Sequence, residues 1–212
     1  MQQEAARKID IALGGRLDAC RGPDLSNNPM VEYHCELVAA GIFEVAGGAP
    51  ANHVARWDGS TWKPLGAGLQ GNTYALAYDL ALYGDLLVVT GDFNRAGGVE
   101  TGGVAFWDGN AWSAAGTASS GGTFTGAVVG AASVGNTLLV TGIFSQIGTA
   151  SVLNIARWDG NSWSALGSGL NGIGVRMAIW DGDLYVGGWF IAAGGKQSST
   201  SRAGGAPSCP SR

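Results

Sequence analysis

Apolar positions along this chain fall in short runs separated by Gly, Asn and Asp, and they rarely hold the three- and four-residue spacing of an amphipathic helix. The run "ALAYDLAL" is followed by Tyr83-Gly84-Asp85, a turn, and then by "LLVVTGDF", a second run rich in β-branched residues. "NRAGG" punctuates the next connection, "GVAFW" predicts a third strand, and "WSAAG" a fourth beyond an Asp-Gly corner. Four short strands thus fill about fifty residues. Only residues 2–13 predict a short helix.

The same pattern then repeats. "LVAAGIFEVAGG" at 37–48 returns as "LVVTGDFNRAGG" at 87–98, "LLVTGIFSQIGT" at 138–149 and "LYVGGWFIAAGG" at 184–195. Phe43, Phe93, Phe144 and Phe190 are 50, 51 and 46 residues apart. Fourteen positions after each of the first three comes a W-D-G-x-x-W box: Trp57-Asp58-Gly59 to Trp62, Trp107-Asp108-Gly109 to Trp112, and Trp158-Asp159-Gly160 to Trp163. In each box the Asp accepts local backbone hydrogen bonds and the Gly supplies a positive φ. The flanking tryptophans then face each other across two antiparallel strands, as packing residues or as an exposed aromatic platform for a sugar or other ligand. Four-stranded sheets recurring at this period predict an all-β chain, a partial β-propeller of antiparallel blades; a sandwich offers no reason for a self-copy of this length. The units are 31–71, 72–122, 123–172 and a partial 173–196, after a poorly matching segment 1–30.

Gly66-Ala67-Gly68-Leu69-Gln70-Gly71 matches the dinucleotide fingerprint G-x-G-x-x-G, and Gly167 to Gly172 repeats it. Phosphate binding requires a helix N-terminus directly after the glycines. Strand-like sequence follows both copies, so they read as links between units.

Glycine is abundant, 37 residues of 212, in keeping with many tight turns. A net charge of −4 with 12 scattered Lys and Arg leaves no basic stripe, so nucleic acid is not an expected partner. No apolar run is long enough for a membrane-spanning helix, and the first twenty residues lack the apolar core of a signal peptide. Cys20, Cys35 and Cys209 have no metal-binding spacing; a Cys20–Cys35 disulfide and free thiols both remain open. His34 and His53 occupy unrelated repeat positions, which disfavours a metal site, and no metal or other cofactor is expected. Ser133 lacks a nucleophile elbow, and Asp58, Asp108 and Asp159 are assigned to turns rather than to glycoside hydrolysis. Asp92 and Asn94 suggest a calcium loop, but Ile42 and Ile143 replace Asp92 in other copies. Arg56 and Arg157 precede a box tryptophan, with Phe106 between them, and their stems are expected to cover the indoles.

G-x-F followed fourteen residues later by R-W-D-G-x-x-W resembles the kelch-like, galactose-oxidase-like propeller repeats of large secreted or cell-surface proteins, among them those of the fungal cortical polarity-marker type. The resemblance covers about residues 31–196. It implies an extracellular or cell-envelope location and a non-enzymatic interaction or ligand-binding scaffold. Protein or carbohydrate would be the ligand, and the exposed blade faces could self-associate. The alternative is a fragment of a carbohydrate-active or oxidase-type enzyme whose site lies in further blades, since no copper-binding set of Tyr, His and Cys maps here. At the C-terminus the pattern calls for "NIARW", with tryptophan at position 204, where the chain reads "STSRAGG". Codons for that stretch can yield "NIARW" after a one-base shift, so 197–212 is expected to be a disordered, frameshifted tail and the chain a fragment.

Overall fold

The computed structural model describes residues 29–71, 75–116, 124–148, 150–181 and 183–197. The helix expected over 2–13, Cys20, Cys209, most of the 116–122 link and the tail beyond Gln197 lie outside the described residues. Within them the chain is all-β, without helix, built as several small antiparallel sheets.

The first unit contains β1 (Met30–Tyr33), β2 (Glu36–Ala40), β3 (Val45–Ala46), β4 (Ala49–Pro50), β5 (Val54–Trp57), β6 (Trp62–Pro64) and β7 (Leu69–Gln70). The second contains β8 (Leu76–Tyr83), β9 (Leu86–Asp92), β10 (Arg95–Ala96), β11 (Val99–Glu100), β12 (Val104–Trp107) and β13 (Trp112–Ala114). In the third are β14 (Val128–Val134), β15 (Thr137–Gly142), β16 (Gln146–Ile147), β17 (Ala150–Ser151), β18 (Ile155–Trp158) and β19 (Trp163–Ala165). The fourth holds β20 (Ile173–Trp180), β21 (Asp183–Trp189), β22 (Ala192–Ala193) and β23 (Lys196–Gln197). Among the described residues, strand structure thus includes Met30 and Gln197, one residue beyond each expected boundary.

Three four-stranded antiparallel meanders result, ordered β1-β2-β5-β6, β8-β9-β12-β13 and β14-β15-β18-β19. The fourth unit has the two-stranded sheet β20-β21. A bulge interrupts the first strand at one repeat position, between Ala77 and Asp79, Val128 and Gly130, and Gly174 and Arg176. Such a bulge bends the strand and re-aims the next side chain.

Two connections are more ordered than their sequence suggests. "NRAGG", read as a plain connection, is the hairpin β10-β11, with Gly97 and Gly98 at φ +58° and +86° in its two-residue turn. The glycine link after the first unit is itself paired, because β7 adds to β10 of the next unit.

Hydrophobic burial lies between successive sheets. One core cluster joins Val38, Val54 and Leu65 of the first unit to Leu87, Val89 and Trp112 of the second. Another joins Val88 and Phe106 to Val128, Leu138, Val140 and Trp163. Each fully buried Leu or Val contributes roughly 1.5–3 kcal/mol, so neighbouring sheets stabilise one another. The first strands also run side by side, β8 against β14 and β14 against β20.

Candidate interaction surface

The boxes are built around the aspartate. Asp58 Oδ1 accepts from the Ser60 and Thr61 amides, Asp108 Oδ1 from Asn110 and Ala111, and Asp159 Oδ1 from Asn161 and Ser162, all at 2.7–2.9 Å. These bonds to the charged form hold the Asp108 and Asp159 carboxyls below their ordinary range; at Asp58 the leading cause is Lys63, 2.7 Å away. Gly59, Gly109 and Gly160 turn the corner at φ +98° to +99°, which a side chain would resist. The register then pairs Trp57 with Trp62, Trp107 with Trp112 and Trp158 with Trp163, with ring centroids 5.1–5.5 Å apart.

Five of these six tryptophans are buried and Trp57 is half-buried, so they form no exposed platform. Phe93 and Phe144 are buried, Phe43 and Phe190 half-buried. The second indole of a box also ties units together: Trp112 Nε1 donates to the Leu65 carbonyl at 2.9 Å and Trp163 Nε1 to that of Ala115 at 3.0 Å. Trp62 Nε1, at the same position in the first unit, is buried and has no hydrogen-bond partner. An unpaired buried donor costs about 1–3 kcal/mol.

The other candidate groups serve different ends. Arg56 pairs with Glu36 at 3.0 Å and Arg157 Nε donates to Ser164 at 2.9 Å, so both guanidinium groups have partners other than an indole. Cys35 is a free, exposed thiol. Burial lowers the pKa of His53, whose Nδ1 has no partner. Asp79, just past the bulge in β8, accepts from the Ala131 amide of β14 at 3.0 Å. Burial raises its pKa, against the opposing pull of the Ala131 and Leu80 amides and of Arg176 on β20. Ser133 donates to the Leu82 carbonyl. Among the described residues no three His, Cys, Asp or Glu side chains are placed to hold a metal, and no helix is long and apolar enough to cross a membrane.

One surface departs from this closed accounting. Tyr33, last in β1, donates to the carbonyls of Asp85 and Trp107 in the second unit, at 3.1 and 3.3 Å. Tyr83, last in β8, donates to the Asn136 carbonyl of the third at 3.0 Å. Trp180 ends β20 at the same repeat position and is 71% exposed. Opposite Ala178 stands Tyr185, 49% exposed, its ring edge-on to Trp180 at 6.1 Å. Trp189 and Ile191 are also exposed, at 79% and 70%. Arg176 and Asp183 supply polar groups beside it. The box motif drew attention away from these residues, although Trp180 and Trp189 are the two tryptophans outside any box.

The chain matches no protein-family model and no curated protein.

Proposed function

We propose that the four units are consecutive blades of a β-propeller of the kelch-like, galactose-oxidase-like kind, and that the chain works as a non-enzymatic interaction scaffold of a secreted or cell-envelope protein. The observation that carries this reading is the exposed aromatic face of the fourth unit, Trp180 with Tyr185, where Trp180 ends its strand at the position from which Tyr33 and Tyr83 of the first and second units meet the next sheet. Its occupant is the first sheet of a second copy. Tyr33 and Tyr83 already meet a sheet of this repeat from that position, so the face is shaped for one more such sheet. A contact of this head-to-tail kind is heterologous: it joins unlike faces and propagates or closes into a ring. Exposed aromatic clusters with a polar rim suit such contacts, because a Trp or Tyr buries a large area with few rotors to immobilise.

Sedimentation velocity over a concentration series tests the proposal. Wild-type chain should associate increasingly with concentration, and the double substitution Trp180→Ser, Tyr185→Ser should leave a folded monomer with an unchanged circular dichroism spectrum. A wild-type chain that stays monomeric throughout, or a double variant that associates equally, removes the assignment of this face.

A further inference from the structure

The faces of the sheets repeat as the strands do. The face that receives the preceding sheet carries Leu87, Phe93 and Trp107 in the second unit and Leu138, Phe144 and Trp158 in the third, all 5% exposed or less. Their counterparts in the first unit are Leu37, Phe43 and Trp57. These three are only half-buried, and they pack on a cluster made of first-unit residues, Ala39, Ala46, Ala51, Ala55 and Trp62.

The turns after the first strands give a second, independent correspondence. They align as Tyr33-His34-Cys35, Tyr83-Gly84-Asp85, Val134-Gly135-Asn136 and Trp180-Asp181. At the first boundary Tyr33 donates to the Asp85 carbonyl, and the His34 ring reaches the Asp85 side chain, Nε2 to Oδ1 2.9 Å. At the second boundary Tyr83 donates to the Asn136 carbonyl, at the same turn position as Asp85. Asp181 stands where His34 stands and shares its left-handed backbone, φ +52° against +50°. Cys35 stands where Asp85 and Asn136 stand, and it is exposed. Trp180 and Asp181 are thus the reaching side of a boundary, and Cys35 is the receiving side of one.

We propose that Leu37, Phe43 and Trp57 form the face that receives Trp180 and Tyr185 of a second copy, in the register that brings Asp181 of one chain to Cys35 of the next. The inference rests on the head-to-tail assembly proposed above and adds its receiving residues and its register. Trp180 then ends at the Cys35 carbonyl as Tyr33 ends at that of Asp85, and Leu37 becomes covered as Leu87 and Leu138 are.

The full-length chain carries the test. Cys20→Ser with Cys209→Ser leaves Cys35 as the one thiol, and Asp181→Cys adds a second. Bis-maleimidoethane, a short thiol cross-linker, should join this variant into covalent dimers and larger multimers. Peptide mapping should find Cys35 of one chain linked to position 181 of another. Chains carrying either thiol alone should stay unlinked. Multimers from a single-thiol chain, or links found only within chains, overturn the register.

Mixing reads the faces themselves. Leu37→Asp should weaken self-association about a hundredfold or more, since it buries an unpaired charge in the contact. The chain with Trp180→Ser and Tyr185→Ser should also be monomeric alone. An equimolar mixture of the two should give a dimer and nothing larger in sedimentation velocity, because each supplies the face that the other lacks. The cross-link is measured with Leu37 in place, so it decides the matter even where Leu37→Asp perturbs the first unit. Association that needs Trp180 and Tyr185 but ignores Leu37→Asp and yields no Cys35 link overturns this inference alone. A wild-type chain that stays monomeric removes the assembly itself.

Discussion

Backbone geometry and close contacts decide which single residues this chain can change. Gly97 sits in the hairpin turn at φ +58°, and a Cβ there would lie 2.5 Å from Cδ1 of Trp112. Gly97→Ala therefore combines left-handed strain with displacement of a buried indole, each of order 1–2 kcal/mol. A urea titration should show destabilisation of about 2–4 kcal/mol with little change in slope. Asp79 gives a residue-level pH signature. Its folded pKa is raised above the unfolded value of about 3.9, so the stability it contributes is fully present below that value and is lost as pH rises through the folded pKa. Asp79→Asn keeps an acceptor for the Ala131 amide and removes the buried charge. The variant should have a higher urea midpoint than wild type at pH 7, and the advantage should vanish below about pH 4. Asp108 and Asp159 act in the opposite sense. Their folded pKa values are depressed, so their contribution is present above the unfolded value and is lost as acid titrates them through the folded one.

Elements of this fold are stabilised less by their own strands than by what the neighbouring unit offers. The bond from Trp112 Nε1 to Leu65 is an example, because the donor sits on β13 and the acceptor just past β6. Trp112→Phe removes one of the two bonds to the Leu65 carbonyl, which still accepts from the Gly68 amide at 3.0 Å, and opens space beside it. Thermal melts should register a loss of about 1–3 kcal/mol. Trp180→Phe, on the exposed end of β20, should stay within about 0.5 kcal/mol of wild type. The contrast separates a box tryptophan buried between units from one outside any box. Strand order within a unit could be read from the spacing of apolar runs, since Phe93 and the pair Trp107 and Trp112 bracket strands by period alone. The two-residue strands could not. Arg95 and Ala96 have no distinctive alternation, and their pairing with Gln70 and Leu69 depends on a contact between units that no local window contains. The exposed aromatic face was hidden for a related reason: Trp180 follows the same alternation as Tyr83, whose hydroxyl donates to the third unit, and that contact lies outside any local window.

At the scale of the molecule, each sheet is stable to the extent that both faces are covered. The second sheet has a core on either side, one cluster toward the first unit and one toward the third. β20 lies against β14 and β15 of the third sheet, while Trp180 and Tyr185 stand exposed. Arrays coupled mainly between neighbours lose their least covered end first, by partial opening rather than global unfolding. Hydrogen exchange should accordingly give faster opening for the amides of β20 and β21 than for those of β8 and β9. Leu138→Ala, which removes a fully buried side chain between the second and third sheets at a cost of about 2–5 kcal/mol, should deprotect the third and fourth units more than the first. Concentration adds the discriminating dimension. If the first sheet of another copy covers the aromatic face, protection of β20 and β21 must rise with protein concentration by mass action while that of β8 and β9 stays constant. Exchange in the fourth unit that ignores concentration would mean that this face remains open, and that the unit's low stability is unrelated to assembly.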